Sequence, residues 1–419
     1  MNYSETVEHL YSRLPYFTRD GKAALKPDLT NTLKLCEALG NPQNKFKSIH
    51  VAGTNGKGST SNILSAIFQQ HGYKTGLYTS PHLLDFRERI RINGVMIPQQ
   101  FVVDFVAKND ELIETIKPSF FEVTVALCFL YFAEENIDIA IIETGLGGRL
   151  DSTNIITPEL SVITNIGLDH TDLLGDSLEK IAWEKAGIIK QNVATVIGES
   201  HPETDSVFIE KARSVNAPIF FADKDLMLAE INVESDLKGS YQKKNIQTVL
   251  KSLSVLETEG FTFERNKVQS ALLNVQKLTG FSGRWEIIQE SGPKIIADTG
   301  HNAHGLTLVT EQLSKESFDK LHIIFGMVSD KDRTPVLNIL PKNAQYYFCK
   351  PALPRALDAE ILRTEAEGFD LKGNSYESVI SAYLSALKNA NNNDLIFIGG
   401  STFVVAEIME YLQNNKSNA

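Results

Sequence analysis

The stretch Ser48-Ile-His-Val-Ala-Gly-Thr-Asn-Gly-Lys-Gly-Ser-Thr60 decides how this chain folds. A short apolar run leads into three glycines, a lysine and two hydroxyl side chains, and an amphipathic run, residues 61–70, follows. That order predicts a strand, a glycine-rich loop and a helix, which is the context that a phosphate-binding loop requires. We therefore expect an α/β protein that binds a phosphorylated ligand at this loop.

Each residue type in this loop has a physical reason to be there. Gly53, Gly56 and Gly58 allow backbone N–H groups to turn inward and approach an anion. The N-terminus of the following helix adds partial positive charge, and Lys57 adds a full one. The spacing departs from the common phosphate-loop pattern because Gly58 separates Lys57 from Ser59. The generic motif alone therefore does not assign the loop to a class of nucleotide-binding protein.

The composition is that of a globular protein, with 42% hydrophobic and 22% charged residues among 419. This length predicts two domains. A net charge of −11 argues against a nucleic-acid or anionic-membrane binder, which needs a basic surface. Three widely separated cysteines, Cys36, Cys128 and Cys349, predict reduced thiols. The N-terminus lacks a signal-peptide pattern and no apolar run reaches membrane-spanning length, so we expect a cytoplasmic protein.

A second glycine-rich loop follows the apolar run Ile139–Glu143. An unbroken apolar run is typical of a central parallel strand. Glu143 lies where α/β ligand sites form and where phosphate-loop proteins carry a magnesium-organising carboxylate. The alternative is that Glu143 is only the first solvated residue after the strand. We favour the functional interpretation because the glycine-rich residues 144–149 follow at once.

The next predicted strand, residues 160–166, ends in Gly167-Leu-Asp-His170. Polar groups again cluster at the carboxyl end of a strand. A lone histidine is usually structural or exposed. One beside an aspartate at a strand end facing a phosphate loop is an equally good candidate for a ligand.

A lysine falls on the apolar face of the helix that follows. Lys185 is seven residues after Leu178, in register with Ile181 and Ala182. Such a lysine is costly unless it is paired, deprotonated or modified, and the alternative is that it reaches along the helix to solvent. A buried neutral lysine can react with carbon dioxide to give a carbamate, which resembles a carboxylate ligand.

The run from Asp85 to Arg91 is unusually charged. One interpretation is a solvated loop or helix face, and the other is a cationic site for an acidic substrate. Composition alone favours the solvated face.

The best candidate domain boundary is Gly280-Phe-Ser-Gly-Arg-Trp-Glu286, after which strand–helix units restart. We expect residues 1–283 to form a phosphate-loop NTPase-like domain with a central, mainly parallel sheet and an N-terminal helical segment. We expect residues 284–419 to form a smaller, doubly wound, Rossmann-like α/β domain.

Seven motifs together resemble those of the folylpolyglutamate synthase/dihydrofolate synthase family, within the Mur-ligase-like superfamily. They are Gly53–Ser59, Thr79–His82, Glu143–Asp151, Asn165–His170, Lys185–Gly187, Gly283–Arg284 and Asp298–Asn302. Each motif alone is weak, but seven in this order and spacing, between about residues 29 and 405, are specific. The Lys57-Gly58-Ser59 spacing is this family's own form of the loop.

The resemblance implies an ATP-dependent ligase that makes an amide bond. ATP phosphorylates a carboxylate, and the amine of L-glutamate then displaces phosphate from the acyl phosphate. The carboxylate belongs to dihydropteroate or to the terminal glutamate of a folate. The resemblance also implies two Mg²⁺ sites and a C-terminal glutamate ligase domain. Closure of the domains about residues 280–285 is expected to exclude water.

The resemblance also implies roles for particular residues. The implied ATP-binding residues are Thr54, Asn55, Gly56, Lys57, Gly58, Ser59, Thr60, Asn245, Arg284 and Asp298. The implied metal ligands are Ser80 and Glu143 at one site and His170 and carbamylated Lys185 at the other. The candidate catalytic residues are Lys57, Glu143, His170, Lys185 and His301. The candidate substrate-binding residues are His82, Arg89, Asp151 and Asn302.

Two other functions stay open at this point. One is a ligase of the same superfamily that acts on another carboxylate, such as a cell-wall precursor. The other is a nucleotide-dependent switch that binds without catalysis, although a second metal set argues against it. The motifs serve both dihydrofolate and folylpolyglutamate synthesis and do not choose between them. We expect small-molecule substrates only, without nucleic acid or membrane, and a monomer.

Overall fold

In this computed structural model, residues 1–24, 26, 28–225, 233–329 and 332–416 are described. The chain forms two compact α/β units. The first contains Met1–Asp236 and Gln242–Phe281, and the second contains Leu237–Tyr241 and Ser282–Ala419. The short segment Leu237–Tyr241 thus belongs to the second unit although its neighbours in sequence belong to the first. Nothing in the sequence pattern indicates this exchange.

The first unit is built on an eight-stranded sheet. Its strands are β1 (Lys47–Ala52), β2 (Thr75–Tyr78), β3 (Ile90–Ile92), β4 (Val95–Met96), β5 (Ile139–Glu143), β6 (Leu160–Ile163), β7 (Thr195–Ile197) and β8 (Ile219–Phe221). Their order is β4-β3-β2-β5-β1-β6-β7-β8. The pairs β2–β5, β5–β1, β1–β6, β6–β7 and β7–β8 are parallel, whereas β3 is antiparallel to both β2 and β4. This confirms the predicted mainly parallel sheet.

The three central strands bring the site motifs to one edge of this sheet. All residues of β5 and β6 are buried, as an apolar strand covered on both faces requires. In the register, Val51 pairs with Glu143 and Ala52 pairs with Ile163. The segments after β1, β5 and β6 therefore begin side by side.

Helices connect and cover these strands. The α-helices of the first unit are Tyr3–Arg13, Phe17–Asp20, Thr30–Ala38, Lys57–Gln70, Gln99–Ile116, Phe120–Glu134, Thr171–Leu174, Leu178–Lys185, Asp205–Ser214, Gln242–Thr258, Arg265–Leu272 and Val275–Thr279. Short 3₁₀ helices span Gly21–Ala24, Pro42–Asn44, Phe86–Arg89, Ser152–Ile155 and Ala186–Ile188.

The helix after the phosphate loop differs from its prediction. It begins at Lys57, inside the motif, and all residues from Ser59 to Phe68 are buried. The amphipathic interpretation of residues 61–70 was therefore wrong. Three helices at 242–279 pack on this helix, and it also contacts β1, β2 and β5. Its serines and Asn62 are consequently interior residues.

The charged run at residues 85–91 forms regular structure rather than a solvated loop or helix face. It contains the 3₁₀ helix Phe86–Arg89 and then enters the hairpin β3–β4. Asn93 and Gly94 connect the two strands with φ values of 47° and 77°. Asn-Gly is the sequence signal of a two-residue hairpin turn, so this element was detectable from the sequence.

The second unit has a six-stranded sheet. Its strands are β9 (Glu286–Gln289), β10 (Lys294–Ala297), β11 (Leu321–Phe325), β12 (Ala344–Cys349), β13 (Gly373–Tyr376) and β14 (Leu395–Gly399). The order is β13-β12-β11-β14-β10-β9, and only β9 is antiparallel. Its helices are Ala303–Leu313, Thr334–Ile339, Ala359–Glu367, Val379–Asn389 and Thr402–Lys416. Strand β13 and the helices at 334–339 and 359–367 were not predicted from the sequence.

No helix in the described part of the chain is both long and apolar enough to cross a membrane.

Candidate active site

Two glycines of the phosphate loop are required by space as well as by conformation. Gly53 has φ 146° and Gly56 has φ 80°. A side chain on Gly53 would overlap the hydroxyl of Thr164, and one on Gly56 would overlap the amide of Asn245. The loop therefore lies tightly between β6 and the helix Gln242–Thr258.

Gly58 has a different reason to be glycine. It lies inside the helix, and its φ is outside the left-handed region. A Cβ at this position would lie 3.8 Å from Glu143 Oε2 and 3.8 Å from the ring of Phe281. Gly58 therefore differs from Gly53 and Gly56, because space rather than backbone conformation favours glycine there. Its missing side chain leaves space in front of the Glu143 carboxylate.

The segment after β6 holds the loop in place. The N–H of Thr54 donates to the carbonyl of Asn165 at 2.9 Å, and the N–H of Asn55 donates to the Asn165 side chain at 3.0 Å. The Thr54 hydroxyl accepts from the N–H of Gly167 at 3.0 Å and donates to its carbonyl at 3.1 Å. Thr54 and Asn55, predicted as ATP contacts, thus also brace the loop.

Two lysines donate to the same carbonyl oxygen. Lys185 Nζ lies 2.8 Å from the oxygen of Gly53, and Lys57 Nζ lies 3.1 Å from it. Lys185 is buried at the end of its helix, as its position on the apolar face predicted. Burial, followed by the charge of Lys57, lowers the pKa of Lys185 to about 7, although Asp169 and Asp151 oppose this shift. Lys185 is therefore neutral in a substantial fraction of molecules at physiological pH.

Glu143 lies at the end of β5 and is buried, with 4% exposure. Its Oε2 accepts from the backbone N–H of Ser80 at 3.2 Å. The hydroxyls of Thr60 and Thr144 are buried and have no hydrogen-bond partner among the residues that the structure describes. Thr60 lies in the helix that begins at Lys57, and Thr144 directly follows Glu143, so both buried hydroxyls belong to segments that carry predicted site residues.

The residues at the first implied magnesium site fit that ion. Glu143 and Ser80 offer oxygen ligands, which Mg²⁺ prefers, and the ion usually takes only one or two carboxylates from the protein. Within the described ranges there is no group of three His, Cys, Asp or Glu side chains that would hold a metal by themselves.

The residues at the second implied site fit only after modification. His170 has φ 49° and precedes the helix Thr171–Leu174, with its Nε2 4.0 Å from Asp169 Oδ2. Its ring lies edge-on to Phe17, 5.8 Å between centroids. An imidazole and the amine of Lys185 are nitrogen donors, which suit Mg²⁺ poorly. A carbamate on Lys185 would supply oxygens.

His82 and Arg89 form a pair rather than two separate ligands. Arg89 Nε donates to His82 Nδ1 at 2.7 Å, which leaves the other ring nitrogen facing the Tyr11 hydroxyl at 3.3 Å. Burial and the Arg89 charge lower the pKa of His82 to about 3, so this histidine is neutral. Arg89 also lies over the ring of Phe120, 5.5 Å from its centroid. With Tyr16, these residues form an aromatic and cationic cluster that the sequence analysis did not assemble.

The Asp151 carboxylate points towards the backbone of the loop that contains it. It accepts from the N–H groups of Leu146 at 2.8 Å and Thr153 at 3.0 Å and from the Thr153 hydroxyl at 2.5 Å. The Thr153 hydroxyl in turn contacts His50 Nε2 at 2.8 Å. Burial raises the pKa of Asp151. In this structure Asp151 shapes the second glycine-rich loop.

The first turn of the helix Gln242–Thr258 reaches the phosphate loop. Asn245, predicted from the resemblance, packs against Gly56. Gln242, which the sequence analysis did not assign, contacts both Asn245 and Ser59. The spacing of three residues places Gln242 and Asn245 on one face of a helix, and this is the signal that was available.

In the second unit, Asp298 is buried and its carboxylate accepts three hydrogen bonds. It accepts from the N–H groups of Trp285 at 2.8 Å and Gly300 at 2.7 Å and from the Tyr241 hydroxyl at 2.5 Å. Burial, together with the charge of Asp298, raises the pKa of Tyr241 well above its usual value. Asp298 therefore organises the segment after β10.

The other predicted residues of this unit are close to Asp298 in sequence and lie in the same segments. Arg284 donates to the Thr299 hydroxyl. His301 Nδ1 lies 3.1 Å from the carbonyl of Thr299. Asn302 caps the helix Ala303–Leu313 by accepting from the N–H of Gly305 at 2.8 Å. These contacts show structural roles for Asp298 and Asn302.

Both units match known domain families. Residues 51–260 match the Mur ligase middle domain. Residues 283–402 match the Mur ligase glutamate ligase domain.

Relatives match along nearly the whole chain. The dihydrofolate synthase/folylpolyglutamate synthase of Bacillus subtilis is 31% identical over 94% of this chain and 96% of its own length. The folylpolyglutamate synthase of Lacticaseibacillus casei is 31% identical over the full length of both.

Solved structures show the same fold. E. coli FolC in complex with DHPP and ADP is 27% identical, covers 99% of both chains and has a TM-score of 0.88. A bifunctional folylpolyglutamate synthase/dihydrofolate synthase with Mn, AMPPNP and L-glutamate bound is 26% identical. It covers 99% of this chain and 98% of its own, with a TM-score of 0.84.

Proposed function

The chain belongs to the folylpolyglutamate synthase/dihydrofolate synthase family of ATP-dependent acid–amino-acid ligases, and on that premise we propose its reaction and site. The enzyme joins L-glutamate to dihydropteroate, to the terminal glutamate of a folate, or to both. ATP and a divalent metal ion are its cofactors, in keeping with the ADP, AMPPNP and Mn named for the related structures.

The grouping of charged side chains at one edge of the first sheet is the main support for this reaction. The phosphate loop, the buried Glu143 carboxylate and the buried Lys185 amine lie together at the carboxyl ends of β1, β5 and β6. Cationic and anionic groups arranged at one strand edge suit the transfer of a charged phosphoryl group. A switch that only binds nucleotide has no need of the buried lysine.

The residues of the first unit supply binding and alignment. The first N–H groups of the helix that starts at Lys57 have no partner within the helix, and Lys57 itself adds positive charge. They hold the phosphates of ATP while the γ-phosphoryl group moves to the acceptor carboxylate and ADP is released. The glutamate amine then attacks the acyl phosphate, the tetrahedral intermediate releases phosphate, and the nitrogen loses a proton.

Metal ions complete the site. Glu143 and Ser80 would hold the first Mg²⁺, and His170 with carbamylated Lys185 would hold the second. A divalent ion held by these residues would supply positive charge to neutralise the phosphates. The neutral fraction of the Lys185 amine is the form that reacts with carbon dioxide, which supports the modification.

Some of the remaining predicted residues are proposed as substrate contacts, and others are proposed mainly to shape the loops of the site. Arg89 and His82, beside the aromatic side chains Tyr11 and Phe120, have the charge and the rings that suit a flat acidic acceptor. Arg284 and His301 are proposed contacts for phosphate and for the incoming amino acid. Asp151, Asp298 and Asn302 act first by shaping their loops.

A coupled assay of ADP release tests the proposed reaction. The release is expected to require both L-glutamate and either dihydropteroate or a reduced folate, supplied side by side as alternative acceptors. Release that ignores both acceptors contradicts the proposal. Release with a cell-wall precursor in their place identifies the alternative Mur-type ligase.

A further inference from the structure

Gln242 links the helix Gln242–Thr258 to the phosphate loop. Its side chain is buried, with 1% exposure. Its Nε2 donates to the hydroxyl oxygen of Ser59 at 3.1 Å, and its Oε1 accepts from Asn245 Nδ2 at 2.8 Å. The amide therefore uses a donor at one end and an acceptor at the other.

The chain of contacts touches the phosphate loop at two points. Asn245 packs against Gly56 so closely that only glycine fits there. Gln242 contacts Ser59 one helical turn later. Because Asn245 Nδ2 occupies the acceptor of Gln242, the Gln242 N–H group is directed to Ser59.

This direction determines what the Ser59 hydroxyl can do. A serine hydroxyl has one proton and two lone pairs. Since Gln242 is the donor in this contact, Ser59 cannot give its own proton to Gln242, and that proton is available to another acceptor. In the proposed function, the acceptors nearest the start of this helix are phosphate oxygens of ATP.

We infer that Gln242 is a positioning residue, which keeps the proton of the Ser59 hydroxyl directed at the phosphates of the bound nucleotide. The inference rests on the proposed function for the identity of the nucleotide. It does not depend on glutamate ligation, because binding alone requires the same contact.

Two substitutions of similar size separate the effect of hydrogen-bond direction at Ser59 from the effect of side-chain packing at position 242. In Gln242→Met both hydrogen bonds are lost. In Gln242→Glu the carboxylate still accepts from Asn245, but it also accepts from Ser59 and draws the hydroxyl proton away from the phosphates. Titration calorimetry with Mg·ADP is expected to show about 5- to 10-fold weaker binding for Q242M and about 100-fold weaker binding for Q242E.

Kinetics supply a second readout. The KM for ATP is expected to rise in the same order, while the KM values for the acceptor and for glutamate stay unchanged. A role in packing alone predicts that the two variants differ in melting temperature and not in this order of nucleotide affinity. Equal affinity of Q242E and the unsubstituted protein for Mg·ADP overturns the inference.

The variant Ser59→Ala tests whether the effect passes through Ser59. In the S59A background, Q242M and Q242E are each expected to cause less than a twofold further loss of affinity. A full additional loss from Q242E in that background would mean simple charge repulsion of the phosphates, and it would overturn the inference. The exposed neighbour Lys243→Met serves as control, with unchanged binding expected.

Failure of the proposed function gives a different result. A protein that binds Mg·ADP with the predicted order of affinities, but does not ligate glutamate, contradicts the reaction and supports the role of Gln242. Absence of Mg·ADP binding in the unsubstituted protein overturns the role of Gln242.

Discussion

Two polar clusters, one in each unit, have opposite electrostatic character. In the first unit, Lys57 and Lys185 bring two amines, which repel each other when both are protonated, to the carbonyl of Gly53. In the second, His322 contacts the Tyr347 hydroxyl at 3.0 Å and the Asp394 carboxylate at 3.3 Å. Both members of the His322–Asp394 pair are buried, with 3% and 1% exposure.

The difference between the clusters separates function from stability. Asp394 also accepts from the N–H groups of Asn391 and Lys320, so its cluster is well satisfied and joins the starts of β11 and β14. In the Lys57–Lys185 cluster, burial and the charge of Lys57 oppose protonation of Lys185. Such an unfavourable arrangement is not expected in a cluster that serves only stability. The Lys57–Lys185 cluster also lies at the carboxyl ends of its strands, where α/β ligand sites form. We therefore expect substitutions in the first to affect activity and substitutions in the second to affect stability.

The largest expected effect is that of Lys185→Ala. Turnover should fall by about three orders of magnitude, because the proposed carbamate ligand is lost. Short carboxylates such as acetate should partly restore activity, which the ADP-release assay measures at increasing acetate concentrations.

Lys190 provides the control for that experiment. Burial lowers its pKa to about 8, and its Nζ donates to the carbonyl of Asn154. Activity lost in Lys190→Ala should not return with acetate. Unchanged activity in K185A would remove the carbamate from the proposal.

The next effect is that of Glu143→Gln. The amide still accepts from the Ser80 N–H but loses the charge that a metal ion requires, so turnover should fall by about two orders of magnitude. The melting temperature should change by only a few degrees, which calorimetry measures. A collapsed melting temperature would mean that Glu143 is structural, like Asp394.

In the second cluster, Asp394→Ala should lower the free energy of unfolding by about 3 kcal/mol, because it leaves buried donors without an acceptor. Turnover at 25 °C should stay unchanged. Denaturant unfolding measures the change, with the exposed Asp319→Ala as a control expected to lie within about 0.5 kcal/mol of the unsubstituted protein. A loss of turnover in folded D394A would contradict the separation of the two clusters.

The smallest effect is a pH dependence of stability at Lys185. Because its pKa is lowered to about 7, the unfolded chain binds more protons than the folded one between about pH 7 and the usual lysine range. Lys185 therefore lowers the free energy of unfolding most below pH 7, and this penalty shrinks as the pH rises.

The variant Lys185→Met lacks this titration. It should melt a few degrees above the unsubstituted protein at pH 6, and the difference should shrink towards pH 10. Differential scanning calorimetry at both pH values measures it. A difference that does not vary with pH would mean that Lys185 is not buried as a cation at low pH.

Much of the fold was predictable because its signals are local. Unbroken apolar runs indicated β5 and β6, and glycines marked the phosphate loop between β1 and its helix. The hairpin β3–β4 was not predicted, although Asn93-Gly94 is a sequence signal for its turn. The charged residues before the turn were interpreted instead as a solvated loop or helix face. The polar, buried helix Lys57–Gln70 was misjudged since its environment is set by other helices and not by its own periodicity.

For the candidate site, the sequence indicated the burial of one residue but not the contacts of the others. Lys185 was identified by its place on an apolar helix face, and the structure confirms its burial. Asp151 and Asp298 were predicted as ligand contacts, yet their carboxylates are turned towards backbone N–H groups. Gln242 was given no role from the sequence, because no local pattern shows which residues the first turn of a helix will contact.

The sequence by itself determined the strand–loop–helix order, the glycine positions and the family to which these motifs belong. These features depend on backbone conformation and on the order of short segments, which neighbouring residues specify. Only the tertiary structure decided that Lys185 meets Gly53 across 132 residues and that Gln242 meets Ser59 across 183. Such contacts depend on strand order and register in the finished sheet, and these follow from packing the whole chain rather than from any one segment.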